Sequence, residues 1–254
     1  MTKTIRRDAL VSFLDRELSV ASIDDHSRNG LQVQGTQKIG RVALAVDACL
    51  DAYEAAAAKG CQLIIAHHGM IWGGIPYVTR ETFLQLKFLF DKGINLYAAH
   101  LPLDLHAKLG NNARLAGMVG ARLLKPFGLY KGTTIGYEGT LSKPITLAAL
   151  SKRLEKLLGG TNVILPFGPG TIRRIGIVSG SASDIIDEAI RKGLDCYITG
   201  EPKHAHHHLA REAGLNVIYC GHYFSEKPGV IAVGRLIEKK FGIPCGFIDI
   251  PTIV

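Results

Sequence analysis

The stretch Arg41-Val-Ala-Leu-Ala-Val46, followed after a helical segment by Lys59-Gly-Cys-Gln-Leu-Ile-Ile-Ala-His67-His68, recurs later in the chain. The second copy reads Arg174-Ile-Gly-Ile-Val-Ser179 and, after another helical segment, Lys192-Gly-Leu-Asp-Cys-Tyr-Ile-Thr-Gly200-Glu201. The offset between the copies is constant, because Arg41 and Arg174 stand as far apart in the chain as Lys59 and Lys192. Short apolar runs that alternate with helical periodicity are typical of α/β proteins, so the repeat predicts two related α/β lobes.

Each copy continues into a third apolar run, which ends in a histidine with a carboxylate four residues later. The first reads Gly93-Ile-Asn-Leu-Tyr-Ala-Ala-His100-Leu-Pro-Leu-Asp104, and the second reads Gly214-Leu-Asn-Val-Ile-Tyr-Cys-Gly-His222-Tyr-Phe-Ser-Glu226. We therefore expect a first lobe over residues 1–130 and a second lobe over residues 131–254. The segment from Lys131 to Thr171 is too short for an inserted third domain.

The periodicity also predicts the elements within each lobe. The predicted strands are Val42–Val46, Leu63–Ala66, Asn95–Ala99, Ile175–Ser179, Asp195–Thr199 and Asn216–Cys220, with strand-like pieces at Thr133–Thr140 and Asn162–Leu165. The predicted helices are Thr4–Glu17, Leu50–Lys59, Arg80–Asp91, Leu147–Leu158, Ala182–Lys192 and Ala205–Ala213.

Polar side chains follow three of these strands at their carboxyl ends, where α/β sheets tend to bind ligands. The six candidate metal ligands are His67, His68, His100, Asp104, His222 and Glu226. Imidazoles and carboxylates suit Zn²⁺, Fe²⁺, Mn²⁺ or Co²⁺ rather than Ca²⁺ or a thiolate-bound metal. A structural zinc is satisfied by four ligands, so six side chains predict two divalent ions.

Each element also has an ordinary structural interpretation, because a His-His pair is commonly a hydrogen-bonded loop and His-x-x-x-Glu occurs by chance in many helices. The coincidence of the pair and both His-carboxylate spacings at equivalent strand ends favours metal binding. Just past a strand end, the adjacent His67 and His68 would reach two different ions. The four-residue spacing would let each histidine and its carboxylate converge within one helical turn.

A further polar cluster, Glu201-Pro-Lys-His204-Ala-His206-His207-His208, begins where the second copy aligns with His67-His68. Glu201 and His204 are candidate catalytic residues as a general acid, and His208 is a candidate substrate contact. A solvated helix face is the alternative for the histidines. Trp72 would cover the pocket and stack on a heteroaromatic substrate, or else pack under its loop or in a subunit interface.

Composition bounds the remaining possibilities. The 254 residues carry a formal net charge of +8, which could attract nucleic acid or anionic small molecules. Because the Lys and Arg are scattered, the charge is interpreted as a solvated surface and nucleic-acid binding is disfavoured. A small anionic substrate is expected from the net positive charge of a two-metal site. No apolar run is long enough to span a bilayer and no signal segment is visible, so a cytoplasmic location without membrane contact is expected. Five widely spaced cysteines indicate neither a disulfide framework nor a thiolate zinc site.

In combination, these motifs resemble a known family. The ordered set comprises Asn29-Gly-Leu-Gln-Val33, His67-His68, His100-x-x-x-Asp104, Thr199-Gly-Glu-Pro202 and Gly221-His-Tyr-Phe-Ser-Glu226. It is similar to the YbgI-like, or Nif-three-like, dinuclear metal family, often labelled GTP cyclohydrolase I type 2. The resemblance covers essentially the whole chain.

The resemblance implies a two-lobed α/β fold with a two-metal site between the lobes, held by the six candidate ligands named above. It also implies a toroidal homohexamer whose metal sites face an internal cavity. Some family members carry an inserted domain between the halves, for which this chain has no room.

Two functional hypotheses follow. The first is a metal-dependent hydrolase, in which a metal-activated water attacks a nucleotide or another phosphate-bearing substrate, as a GTP cyclohydrolase would. The choice of GTP as the substrate rests on the family resemblance alone, because no nucleotide-binding loop is present in the sequence. The second is a non-catalytic ring assembly that binds metal ions for metal handling or for partner binding.

Overall fold

The computed structural model describes residues 3–74 and 77–253. The strands are β1 (Ile5–Arg6), β2 (Gly30–Val33), β3 (Lys38–Ile39), β4 (Val42–Asp47), β5 (Leu63–His68), β6 (Asn95–Ala98), β7 (Ala121–Tyr130), β8 (Thr133–Thr146), β9 (Val163–Pro166), β10 (Thr171–Ile177), β11 (Cys196–Thr199), β12 (Asn216–Tyr219) and β13 (Cys245–Phe247). The α-helices are α1 (Arg7–Glu17), α2 (Leu50–Ala58), α3 (Arg80–Lys92), α4 (Leu101–Asp104), α5 (Asn111–Val119), α6 (Leu147–Leu158), α7 (Ile186–Arg191), α8 (His206–Ala213) and α9 (His222–Phe241).

Tertiary contacts divide the chain into two compact units. The first comprises Met1–Leu103 and Gly229–Ile250, and the second comprises Asp104–Pro228 and Pro251–Val254. The sequence predicted a single boundary after residue 130 instead. The difference arises from long-range pairing: β13, near the C-terminus, pairs in parallel with β4 and so belongs to the first unit, whereas β7 pairs with β8 and belongs to the second.

The first unit is built on a five-stranded sheet with the order β13-β4-β5-β6-β2. All neighbours run parallel except β2, which is antiparallel to β6. Strands β4, β5 and β6 are apolar on both faces because helices cover them, which is why their sequences read as continuous hydrophobic runs. The buried Tyr53 of α2 and Leu89 of α3 belong to the core on one face of this sheet.

The second unit is built on a six-stranded sheet with the order β7-β8-β10-β11-β12-β9. Strands β10, β11 and β12 are parallel, and the outer pairs are antiparallel. One core cluster gathers α5 and α6 with residues of β10 to β12, and another gathers α7 and α8 with residues of β7, β11 and β12. The segment between the predicted lobes therefore forms part of this sheet and its covering helix α6.

The parallel strands of the two units correspond residue by residue. Val42 pairs with Leu63 in the first unit, and Ile175 pairs with Cys196, at the same offset along the chain, in the second. A buried asparagine opens the third strand in both units. Asn95 accepts a hydrogen bond from the backbone of Gly35 (2.7 Å), and Asn216 accepts one from Gly168 (3.0 Å).

The acceptors around these asparagines correspond as well. The side-chain amide of Asn95 donates to the carbonyls of Thr36 and Gln62, and that of Asn216 donates to the carbonyls of Pro169 and Asp195. Thr36 and Gln62 precede their counterparts by the same offset that relates the two copies of the repeat. Buried amides are costly unless hydrogen-bonded, so two such matched networks support the internal repeat.

The predicted α/β class is confirmed, and the predicted helices and strands lie within a few residues of the observed ones. Two details differ: the predicted helix Ala182–Lys192 divides into a 3-10 turn (Ser183–Ile185) and the shorter α7, and β8 extends to Thr146. No described helix combines the length and apolar composition that crossing a bilayer requires.

Candidate metal centre

Three histidines of the first unit meet where β5 and β6 end. We call His67, His68 and His100 the imidazole cluster. Each offers one ring nitrogen, and these three nitrogens all lie within 4.8 Å of one another. The ring centroids are 4.7 Å (His67 to His68), 5.1 Å (His67 to His100) and 5.7 Å (His68 to His100) apart. Three imidazoles at this spacing form a nitrogen donor set of the kind that divalent transition metals prefer.

The structure corrects one expectation about the His pair. His67 and His68 are the last two residues of β5 and do not follow its end. His67 is fully buried, and its Nδ1–H donates to the backbone carbonyl of Ala99 (2.9 Å). The Nδ1–H of His68 donates to Oδ1 of Asp47 at the end of β4 (2.7 Å). Because carbonyl and carboxylate oxygens only accept, Nδ1 carries the hydrogen in both rings, and the neutral form of each ring has its lone pair on Nε2.

His100 is held in the same way by Asp25, a residue of the loop before β2. Its Nδ1–H donates to Oδ2 of Asp25 (3.0 Å), which also accepts from the side chain of Asn29 and the backbone of Leu101. Burial raises the pKa of Asp25, but the hydrogen bonds from His100 and Asn29 outweigh it and lower the pKa to about 2. Asp25 is therefore a stable anion that orients the His100 ring, as the partners of metal-bound histidines do.

Trp72 lies beside the imidazole cluster. Its ring meets that of His100 edge-on with 5.0 Å between centroids, and lies 6.1 Å from that of His68. The indole N–H donates to the carbonyl of Gly69 (2.7 Å), which fixes the ring, and 37% of the residue is exposed. Trp72 thus has a face available near the candidate ligands while its loop holds it in place.

In the second unit, Asp104 is buried among neutral donors. Its Oδ1 accepts from the side-chain amide of Asn111 (2.8 Å) and from the hydroxyl of Ser179 (3.2 Å). Asn112, next in the chain, accepts from the backbone of Ser179 (2.7 Å) and so fastens the start of α5 to the end of β10. These contacts fix the Asp104 carboxylate in a single orientation.

His222 and Glu226 lie one turn apart at the start of α9. The Nε2 of His222 is 3.0 Å from Oε2 of Glu226, and its Nδ1 hydrogen-bonds to Glu201 at the end of β11. Glu226 is buried, and it occupies the space that a side chain at Gly180 would fill, because a Cβ there would collide with its Oε1. The predicted convergence of His222 and Glu226 within one helical turn is thus observed in this unit.

The remaining predicted residues lie elsewhere in the second unit. Glu201 contacts His222, so its observed position is that of an orienting partner for that ring. His204 and His208 are exposed, and His204 precedes α8 rather than sharing its face with His208. The buried histidine of that cluster is His206, whose Nε2 is 3.3 Å from Asp184.

Sequence reasoning missed the acidic residues that orient the histidines. Asp47 ends a strand at the same sheet edge as His68, so its position was a usable signal. Asp25 lies 75 residues before His100, and only its place before the Asn29-Gly30 signature points to it. Ser179 and Asn111 likewise gave no signal beyond their polar character.

Comparison with known proteins identifies the family. The family model described as Duf34/NIF3 (NGG1p interacting factor 3) matches residues 5–252. A protein of Archaeoglobus fulgidus named GTP cyclohydrolase 1 type 2 homolog is 42% identical over 243 residues, which cover 96% of this chain and 97% of that protein. A protein of Pyrococcus abyssi with the same name is 43% identical over 249 residues, covering 98% and 99%.

Solved structures agree with this assignment. The protein ybgI, described as of unknown function, superposes with a TM-score of 0.92 at 32% identity and covers 98% of this chain and 100% of its own. TTHA1606 from Thermus thermophilus gives a TM-score of 0.91 at 36% identity, with the same coverage. The family resemblance that the motifs predicted is confirmed.

Proposed function

The chain belongs to the Duf34/NIF3 family, and we propose that it is a dinuclear metal-dependent hydrolase acting on a nucleotide or another phosphate-bearing substrate. The observation that carries the proposal is the imidazole cluster, in which every Nδ1 is held by a carbonyl or carboxylate oxygen. Histidines that merely fill a core need no such uniform tautomer, whereas metal-bound histidines are oriented in this way.

Six residues are assigned as the ligands of the two ions. The six ligands are His67, His68, His100, Asp104, His222 and Glu226. Four imidazoles and two carboxylates fit Zn²⁺, Fe²⁺, Mn²⁺ or Co²⁺. When bound, the ions would supply an activated water as nucleophile at neutral pH.

The chain's other residues would bind and orient the substrate. Trp72 offers a fixed aromatic face beside His100, suited to a heteroaromatic base. Glu201 would keep the His222 ring in place, and His204, exposed before α8, is the assigned proton donor. An overall charge of +8 favours an anionic substrate, and the name of the relatives, GTP cyclohydrolase 1 type 2 homolog, favours a nucleotide.

We also propose that the protein self-associates, as a homohexamer. On α3, Phe83 (50% exposed) and Phe90 (60% exposed) stand two turns apart on one side of the helix. Apolar surface that continues along one helix face in this way is a candidate protein interface. Native mass measurement of the purified protein tests this part directly, and a monomer at micromolar concentration would contradict it.

The experiment for the hydrolase proposal combines metal analysis with turnover. Purified protein is assayed for metal, reloaded in turn with Zn²⁺, Fe²⁺, Mn²⁺ and Co²⁺, and incubated with GTP and a panel of phosphoesters. We expect about two ions per chain and turnover with at least one metal. His67→Ala should weaken metal binding by more than about a hundredfold and abolish turnover, since it removes a ligand and not only its support.

The matched control is His207→Ala, an exposed histidine of α8 outside the ligand set. It should leave both metal content and turnover unchanged.

A second candidate function is a non-catalytic metal-binding assembly. It is favoured by the contact of Glu201 with His222, which gives that carboxylate an orienting role. If the wild type binds metal but turns over no substrate with any of the four metals, the non-catalytic assembly is the function. No metal uptake at all would overturn both.

A further inference from the structure

An open cleft of about 610 Å³ lies in the second unit, away from the candidate ligands. Its lining contains three basic side chains, Arg122, Lys143 and Arg153, and no acidic one. Leu141 and Ile145 provide apolar walls. The volume lies within the range of about 300 to 1,000 Å³ that small-molecule sites occupy.

An irregularity of β8 builds this cleft. Strand β8 pairs with β10 through Ile145 (opposite Ile172) and again through Thr140 (opposite Arg174), so residues 141–144 face a single residue of β10. Such a bulge bends the strand and re-aims its side chains. Pro144, which has no N–H to donate, is suited to this interruption.

The neighbouring elements bring the two arginines to the bulge. Strand β7 starts directly after α5 and pairs Ala121 with Leu141, which places Arg122 at the cleft. Its Nε donates to the hydroxyl of Ser142 (2.7 Å), an interaction that holds the guanidinium in place. Helix α6 packs against α5 and brings the guanidinium of Arg153 close to Gly120.

The positive charge of the cleft is uncompensated. Within residues 3–74 and 77–253, no ion pair engages Arg122, Lys143 or Arg153. The C-terminal end of α5 reaches the same cleft and carries roughly half a negative charge, which three full positive charges exceed. All three side chains are exposed, so they are free to converge on an anion that enters the cleft.

We propose that this cleft is a binding site for a phosphate-bearing small molecule with an apolar or aromatic body. The two guanidinium groups and the ammonium group bind the phosphate oxygens, for which Arg offers a bidentate fork. Leu141 and Ile145 contact the body of the ligand. The site is separate from the six candidate metal ligands and does not depend on the proposed hydrolase activity.

The test is a calorimetric titration of the full-length, metal-loaded protein with GMP, with guanosine as the uncharged probe and inorganic phosphate as the smallest one. We expect one GMP event per chain at the cleft, identified as the event that remains in Glu226→Gln, where the metal centre is impaired. Arg122→Gln and Arg153→Gln should each weaken that event at least about tenfold, because each removes a charge-assisted hydrogen bond. Guanosine should bind at least tenfold more weakly than GMP.

Lys152→Gln is the matched control, since this exposed lysine precedes Arg153 on α6 but does not line the cleft. It should leave GMP affinity unchanged, and thermal melting should show that every variant is folded. Three results overturn the proposal: no GMP event in the wild type, wild-type affinity in both arginine variants, or loss of the event in Glu226→Gln alone. The last would assign the nucleotide to the metal centre, and turnover assays judge the hydrolase separately.

Discussion

The two units share three parallel strands but end them with different chemistry. In the first, β4 ends in Asp47 and β5 ends in His67-His68. The equivalent positions of the second copy hold Gly180 and Gly200-Glu201. The first unit thus presents imidazoles oriented by oxygen acceptors, and the second presents two carboxylates with one imidazole.

The difference shows how a repeated fold changes its donor atoms. Asp47 holds His68, so an acidic residue is useful at that strand end in the first unit. In the second unit the equivalent Gly180 leaves room for Glu226, which a side chain would displace. The two units therefore differ both at this strand end (Asp47 or Gly180) and in the candidate ligand beside it (His68 or Glu226). They share the strand register and the buried asparagine.

The largest effect is expected at the position where the units differ most. Gly180→Ala introduces a Cβ against Glu226 and places a non-glycine residue at a φ of 66°. Overpacking and left-handed backbone strain together should lower the free energy of unfolding by about 2 to 4 kcal/mol. The measurement is urea denaturation of the metal-free protein, with metal affinity recorded in parallel.

Gly132→Ala is the matched control for that variant. Gly132 also has a positive φ, of 84°, but nothing lies within 4 Å of a Cβ built there. It should cost only the backbone strain, roughly 1 to 2 kcal/mol, and leave metal affinity unchanged. Equal losses in both variants would mean that Gly180 is required for its backbone alone and that room for Glu226 plays no part.

A smaller effect should distinguish the two acidic residues that orient the imidazole cluster. Asp25→Asn should weaken metal binding by about 10- to 100-fold, because Asp25 is a fixed anion with four hydrogen-bond donors around it. Asp47→Asn should weaken it by less than about tenfold, since the Asp47 side chain is 35% exposed and, among the described residues, hydrogen-bonds only to His68. Competition against a chromophoric chelator measures both affinities.

The control here is Asp91→Asn, an exposed carboxylate of α3 that pairs with Lys87 and should not alter metal affinity.

The low pKa of Asp25 also makes the free energy of unfolding depend on pH. Its pKa of about 2 in the folded protein lies below the ordinary value of 3.8, so its stabilising contribution is complete above pH 3.8 and is lost as the pH falls through about 2. Between pH 3.8 and about 2, the metal-free Asp25→Asn variant should lose less stability than the metal-free wild type. Identical acid-unfolding curves for the two proteins would contradict a stabilising role of the Asp25 carboxylate.

The sequence was sufficient for the parallel strands of the repeat and for the histidines that end them, whereas β2, β7 and β13 were not predicted. Hydrophobic periodicity and the constant offset between copies depend on local pattern, and the observed strands begin within a few residues of the predicted ones. Parallel strands bring their carboxyl ends to one sheet edge, which is why the sequence alone predicts that His67, His68 and His100 lie together.

Long-range pairing was beyond that reasoning. The pairing of β13 with β4 joins residues some two hundred positions apart, so the boundary between the units could not be read from local pattern. Asp25 contacts His100 from an irregular loop. Such a loop has no hydrophobic periodicity from which its position could be predicted. The position of Arg122, Lys143 and Arg153 around one cleft depends on a bulge whose register only the folded sheet defines.

The smallest expected effect concerns Trp72, which has no counterpart in the second unit. It is the single tryptophan of the chain and lies 5.0 Å from the His100 ring, so its fluorescence should report on the first unit alone. Binding of Co²⁺, an open-shell ion, should quench this emission, and Zn²⁺, with a filled d shell, should change it much less. Titration of the metal-free protein with each ion, followed by emission, measures the difference.

Trp72→Phe completes that comparison, because it removes the reporter and the hydrogen bond to Gly69 while keeping an aromatic ring beside His100. Loss of one partly exposed hydrogen bond should cost about 1 kcal/mol of stability or less and leave metal affinity within about twofold. If Co²⁺ binds at full stoichiometry to the wild type without quenching Trp72, the ions do not occupy the imidazole cluster. The ions would then be bound by nitrogen and carboxylate donors of the second unit.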